Sequence, residues 1–140
     1  MHFNKSILFA LVFIFSAFQT LDAQDSSASK PKTGKSKIQY GIASFYSNKF
    51  NGRKTASGEI FSQQKLTAAH NSLPLGTYVR VTNLRNKRTV IVKINDRLHA
   101  RNKRLIDLTK LAAQQLGFIK SGIVRVKLEV LGKKPPSAPK

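Results

Sequence analysis

The chain has 140 residues, with 25 Lys and Arg against 6 Asp and Glu, a formal net charge of +19, and neither Cys nor Trp. Such a length fits one ordinary domain rather than a multidomain enzyme. The lack of Cys points away from disulfide staples, a thiolate nucleophile, a Cys-ligated metal and a lipid carried on an N-terminal Cys. The excess of base calls for an anionic partner: nucleic acid, a membrane surface or an acidic polymer. Carboxylate chemistry must come from Asp22, Asp25, Glu59, Asp96, Asp107 or Glu129.

The first element is a near-continuous apolar run at residues 7–18, preceded by His2 and Lys5 and followed by Leu21, Asp22 and Ala23. Its length of about 12 residues falls short of the roughly 20 needed to span a bilayer. Position, length and flanks predict a secretory signal cleaved after Ala23. Residues 24–37 and 132–140 are rich in Ser, Lys, Pro and Gly and are expected to be a flexible linker and tail. That leaves residues 38–131 as one compact domain. Export shifts the expected partner from nucleic acid to cell-wall glycan, with an anionic envelope surface as a further possibility. The mature chain is expected to be a soluble monomer without a lipid anchor, periplasmic or secreted.

Within the domain, the alternating aromatic stretch 40–46 (YGIASFY) predicts a strand. Residues 66–70 (LTAAH) read as one helical turn. Residues 78–82 and 89–94 predict two strands, and the turn-forming stretch 83–87 between them predicts a hairpin. Leu108, Leu111, Ala112 and Leu116 share one face of a helix at 109–116, with Asp107 or Thr109 as its cap and Gly117 as its stop. Residues 124–130 alternate Val and Leu with charged side chains, the pattern of a half-exposed last strand. On that strand, Glu129 is expected to make a surface ion pair. Many short strands with one or two short helices imply a small closed all-β barrel.

Four stretches carry the candidate chemistry: 41–46 (GIASFY), 50–61 (FNGRKTASGEIF), 66–84 (including LTAAHNSLPLGT and RVTNL) and 92–97 (VKINDR), the last followed by Ile106-Asp107-Leu108-Thr109. They set Glu59, His70 and Asp96 at the ends of elements, where a core fixes the backbone and the side chain reaches a groove. His70 and His99 are the only histidines in the domain, which leaves no plausible zinc site, and no Gly-rich loop suits a phosphate. Neither a metal nor another cofactor is expected.

Taken in order, these motifs resemble the double-psi β-barrel domain of the rare lipoprotein A family of bacterial septal-ring lytic transglycosylases. The resemblance runs from about Tyr40 to Leu131. It implies a six-stranded double-psi barrel that cleaves the β-1,4 bond between N-acetylmuramic acid and N-acetylglucosamine in peptidoglycan, leaving 1,6-anhydro ends. It implies Asp96 as the catalytic acid/base, with Glu59 and His70 beside it. In that role Glu59 would position substrate or act on Asp96 by like-charge repulsion, and His70 would orient a carboxylate or a sugar hydroxyl. Tyr46, Arg53, Thr55, Ser57, Asn95 and Arg97 are the expected substrate contacts, with Phe45 and Phe50 joining Tyr46 in a candidate stacking platform.

The chain departs from the family pattern at Leu98-His99-Ala100, where Gly-Pro-Phe commonly follows the Asp-Arg pair, and at Ser62, where an acid often stands. The altered loop keeps a second expectation open: a non-enzymatic, expansin-like glycan-binding protein on the same barrel.

Overall fold

The computed structural model describes residues 37–137. The expected secretory signal, the expected cleavage point at Ala23 and most of the expected linker lie outside the described residues. Six strands, β1 (Ile38–Phe45), β2 (Thr67–Ala69), β3 (Tyr78–Asn83), β4 (Thr89–Asp96), β5 (Ile106–Leu108) and β6 (Val124–Gly132), close into a barrel. Among the described residues, one α-helix, α1 (Lys110–Leu116), and a 3-10 turn at Asn48–Phe50 complete the elements. The order around the barrel is β1-β5-β2-β4-β3-β6. β1 pairs parallel with β5 and β2 parallel with β4, and the other neighbours are antiparallel. The expected six-stranded all-β barrel is therefore the fold.

Alternation explains most of it. On β3, Val79 and Val81 are fully buried; on β4, Val90, Val92 and Ile94 point inward; on β6, Val124, Val126 and Leu128 do the same. Burying each such side chain contributes roughly 1.5–3 kcal/mol. The β3–β4 hairpin forms where the 83–87 turn was read. Its two asparagines do more than turn the chain: Asn83 Nδ2 and Asn86 Nδ2 both donate to the carbonyl of Leu116, at 2.8 Å each. They satisfy a C-terminal carbonyl of α1 that would otherwise be orphaned. Gly117 ends the helix in the left-handed region, with φ 74°.

Two local readings are corrected and a third holds. Residues 66–70 are no helical turn: Thr67, Ala68 and Ala69 form β2, wedged between β4 and β5 with every side chain buried. A lone helical turn nucleates poorly, and pairing on both edges wins. The helix cap is Thr109, whose hydroxyl accepts from Ala112 N–H; Asp107 lies on the short strand β5, which periodicity over three residues could not reveal. Glu129 does sit among bases, 3.6 Å from Lys127 Nζ and 4.0 Å from Arg80 Nη1.

Close packing fixes the β1–β5 crossing. A Cβ at Gly41 would come within 2.7 Å of Leu105 Cβ. The glycine therefore lets β1 and the segment entering β5 touch, and Leu105 N–H donates to Ile42 O at 2.8 Å.

Candidate active site

Asp96 ends β4 at an irregularity in its pairing with β2. Ala68 faces Ile94 but Ala69 faces Asp96, so Asn95 is an extra residue on β4. Such a bulge redirects the side chains beside it. Asn95 turns into the protein, almost wholly buried, and Asp96 reaches a cleft of about 390 Å³. Phe45, Tyr46 and Phe50 line one side of this cleft, and Arg97, His99, Arg104 and Asp107 also contribute to its walls.

The Asp96 carboxylate is held on both oxygens. Oδ2 accepts from the Tyr46 hydroxyl at 2.6 Å. Oδ1 accepts from the backbone N–H of Ala56 at 3.0 Å and of Arg97 at 2.9 Å. Ala56 arrives on a tight loop: Gly58 N–H donates to Thr55 O, Thr55 N–H to Glu59 O, and Ser57 N–H to Asn95 O. Gly52 and Gly58 take φ values of 83° and 87°, which explains the glycines of the 50–61 motif. The motif thus brings a backbone donor to the acid, a contribution that side-chain identity does not announce.

Glu59 stands on the far side of that loop. Its Oε1 lies 2.8 Å from Lys93 Nζ and its Oε2 accepts from Asn95 Nδ2 at 3.2 Å. The Lys93 hydrogen bond, aided by Asn95, holds its carboxyl below the usual glutamate range. The negative charge of Glu59 is paired with Lys93. Lys93 carried no signal in the sequence beyond being a base on a strand.

His70 is buried, and its ring does not reach a carboxylate. Nδ1 accepts from the N–H groups of Ser72 and Leu73, at 3.1 Å each. Nε2 therefore carries the proton and donates to Gln39 Oε1 at 3.0 Å. Burial first, then the charges of Arg97 and Lys37, lower its pKa and favour the neutral ring. The residue still touches the site through its backbone: His70 N–H donates to Asp96 O at 3.1 Å, and His70 O accepts from Arg97 Nη1 at 3.1 Å.

The expected contacts divide. Tyr46 and Arg97 line the cleft. Asn95, Thr55 and Ser57 belong to the network that ties the loop to β4: Ser57 N–H donates to Asn95 O, and Thr55 and Ser57 share a 3.0 Å hydroxyl contact. Arg53 lies over the Phe50 ring, 5.6 Å from its centroid, outside the residues that line the cleft. Tyr46 is not a free stacking platform. Its ring packs edge-on to Phe50 and tilted against Phe61, with centroids 5.6 Å and 4.4 Å away.

Two further groups were missed. Arg104 grips Asp107 through Nε to Oδ1 at 2.7 Å and Nη2 to Oδ2 at 2.9 Å, and Ser44 also donates to Oδ1. Gln63, almost fully buried, donates to Tyr46 O and accepts from Lys110 N–H, tying the aromatic wall to the start of α1. Among the described residues no three His, Asp or Glu side chains gather as a metal site.

A closed six-stranded barrel with two parallel strand pairs, and a hydrogen-bonded aspartate at the mouth of a cleft, define a protein of the double-psi β-barrel class. Residues 38–128 match the family model described as lytic transglycolase, and the chain belongs to that family. It is 57% identical over 91 residues to the endolytic peptidoglycan transglycosylase RlpA of Pasteurella multocida, covering 65% of this chain and 31% of that protein. The RlpA of Neisseria meningitidis serogroup A is 48% identical over 102 residues, covering 71% and 43%. The chain thus spans less than half the length of these relatives. Among solved structures, a Clavibacter michiganensis expansin with cellohexaose bound shares the fold at TM-score 0.58 and 22% identity, over 74% of this chain and 54% of that one. A Streptomyces papain inhibitor does so at 0.56 and 20%, over 67% and 94%.

Proposed function

We propose that this protein is an exported, endolytic peptidoglycan lytic transglycosylase, acting in the periplasm or outside the cell. The observation that carries the reading is Asp96: one carboxylate, fixed on both oxygens, at the mouth of a cleft, in a chain of the lytic transglycolase family. Ordinary glycosidases employ two carboxyl groups, because water or an enzyme nucleophile must be handled separately. A lytic transglycosylase uses a hydroxyl already tethered to its substrate, so proximity replaces one of those roles.

The step balances on Asp96 alone. Its proton passes to the glycosidic oxygen as the bond from C1 of N-acetylmuramic acid breaks. The C6 oxygen of the same sugar bonds to C1, and its proton returns to Asp96. No water is consumed, and the acid ends protonated as it began. Glu59, held ionised by Lys93 and partly exposed, positions a sugar hydroxyl. His70 keeps the strand end and Arg97 in place. Arg97 lines the substrate path, with Asn95, Thr55 and Ser57 supporting the loop beneath and Arg53 at its outer edge. The basic surface holds the protein near anionic wall or membrane components, an attraction that weakens as salt rises.

The test is incubation with peptidoglycan sacculi, intact and stripped of stem peptides, followed by mass spectrometry. New 1,6-anhydro ends that vanish in Asp96→Asn support the proposal. Tight binding without new ends from either protein overturns it and assigns a non-enzymatic, expansin-like role. Reducing ends instead of anhydro ends would retain the substrate and replace the mechanism with hydrolysis.

A further inference from the structure

Both oxygens of Asp96 are occupied, but not alike. Oδ1 takes two backbone N–H donors, which leaves it no free lone pair. Oδ2 takes a single donor, the Tyr46 hydroxyl, and keeps one lone pair. A proton carried by Asp96 must therefore sit on Oδ2, the oxygen that Tyr46 holds.

The surroundings of Tyr46 fix that hydroxyl. Phe50 and Phe61 confine the ring, Gln63 Nε2 donates to the Tyr46 carbonyl at 2.7 Å, and Tyr46 N–H donates to Leu108 O at 3.0 Å. Barrel strand, helix start and aromatic wall all converge on its placement. This is far more constraint than a sugar-stacking ring requires. Stacking needs an open face, whereas an oriented hydroxyl needs a locked ring.

We infer that Tyr46 is a positioning residue: its hydroxyl selects Oδ2 as the oxygen that shuttles the proton and aims the remaining lone pair at the substrate. In its catalytic consequence, this rests on the transglycosylase reading above. When Asp96 is ionised, Tyr46 donates to it; when the proton is on Oδ2, Tyr46 still donates to the other lone pair. The phenol itself does not ionise in this cycle. Burial, and then donation to Asp96, push its pKa well above the ordinary tyrosine value, so it remains a donor at any working pH.

Other charges face the pair. Arg97 adjoins Asp96, and His99, Arg104 and Asp107 line the same cleft. Glu59 and Lys93 stand beyond Asn95. None of these donates a side-chain hydrogen bond to Oδ2, so removing the phenol hydroxyl isolates the effect of Tyr46.

The test is Tyr46→Phe, read in two ways. Carboxyl-carbon NMR of the purified protein at one fixed neutral pH reads the Asp96 carboxylate, with Glu59 and Asp107 as internal references. Loss of the one donor to Oδ2 should displace the Asp96 signal and leave the two references in place. On glycan strands, kcat should fall roughly ten- to a hundredfold, the equivalent of one hydrogen bond to a charged group, with KM within about twofold.

Placing 3-fluorotyrosine at position 46 keeps the ring and strengthens the donor, so it should displace the Asp96 signal the opposite way; it also serves if Tyr46→Phe does not fold. An unmoved Asp96 signal in a folded variant overturns the inference, as does a fall in melting temperature alone. If the wild-type protein makes no anhydro ends, the transglycosylase reading fails, and the two NMR comparisons still decide the link between Tyr46 and Asp96.

Discussion

His70 donates its backbone N–H to the carbonyl of Asp96 at 3.1 Å, while its ring turns away to Gln39 and to the turn at Ser72 and Leu73. The imidazole acts as the clamp of a turn, and it passes its influence to the site through the main chain. Such a histidine makes stability depend on pH. Its folded pKa lies below the unfolded value of about 6.5, so the unfolded chain takes up protons first. Stability should be full above about pH 6.5 and should decline as pH falls through the folded pKa. His70→Ala leaves two N–H groups without their acceptor, costing about 1–3 kcal/mol per unsatisfied group. That variant should melt lower at neutral pH and show a flatter decline below pH 6.5, as measured by thermal unfolding across a pH series.

Asp96→Asn should keep the fold and lose the chemistry. The asparagine oxygen still accepts from Ala56 and Arg97, and the Tyr46 hydroxyl rotates to accept from the new amide. A general acid/base contributes roughly 10²- to 10⁴-fold, so anhydro-end formation should fall at least a hundredfold with little change in melting temperature. Mass spectrometry of digested sacculi checks the first, and calorimetry the second.

Glu59→Gln separates a role in substrate positioning from a role in stability. The Glu59–Lys93 pair is partly exposed, with side chains 40% and 31% accessible, so its loss should cost less than about 1 kcal/mol. If the charged carboxylate holds a sugar hydroxyl, kcat/KM should fall about tenfold or more. Denaturant unfolding and steady-state cleavage of glycan strands give the two numbers.

Gly41→Ala should damage the barrel through packing rather than through charge. Its new methyl meets Leu105 Cβ, an atom fixed to the backbone, so the strand crossing must open. Overpacking of this kind costs about 1–3 kcal/mol. For a domain this size each kcal/mol lowers the melting temperature by about 4–8 °C, which thermal unfolding would show directly.

Periodicity and turn chemistry by themselves determined the elements that depend on their own residues. Val79 and Val81, and Val124 to Leu128, alternate because one barrel face is dry, and that alternation is legible in a single strand; residues 89–94 are legible as a β-branched, mostly apolar run. The stop at Gly117 is equally local, whereas the sequence narrowed the cap only to Asp107 or Thr109. The motif order identified the family and singled out Asp96 because short, unusual combinations around a bulge and a tight loop survive as letters.

Tertiary structure alone decided the rest. β2 and β5 are three residues each, too short to show a period, and exist because neighbours pair with both of their edges. Lys93 meets Glu59 across 34 positions, Arg97 reaches back to His70 across 27, and Tyr46 reaches Asp96 across 50. Backbone donors such as Ala56 N–H carry no residue signature at all. The sequence singled out Asp96 as the candidate acid; which groups hold each of its oxygens depended on the closure of the barrel, because hydrogen bonds between distant residues are set by chain path and not by composition.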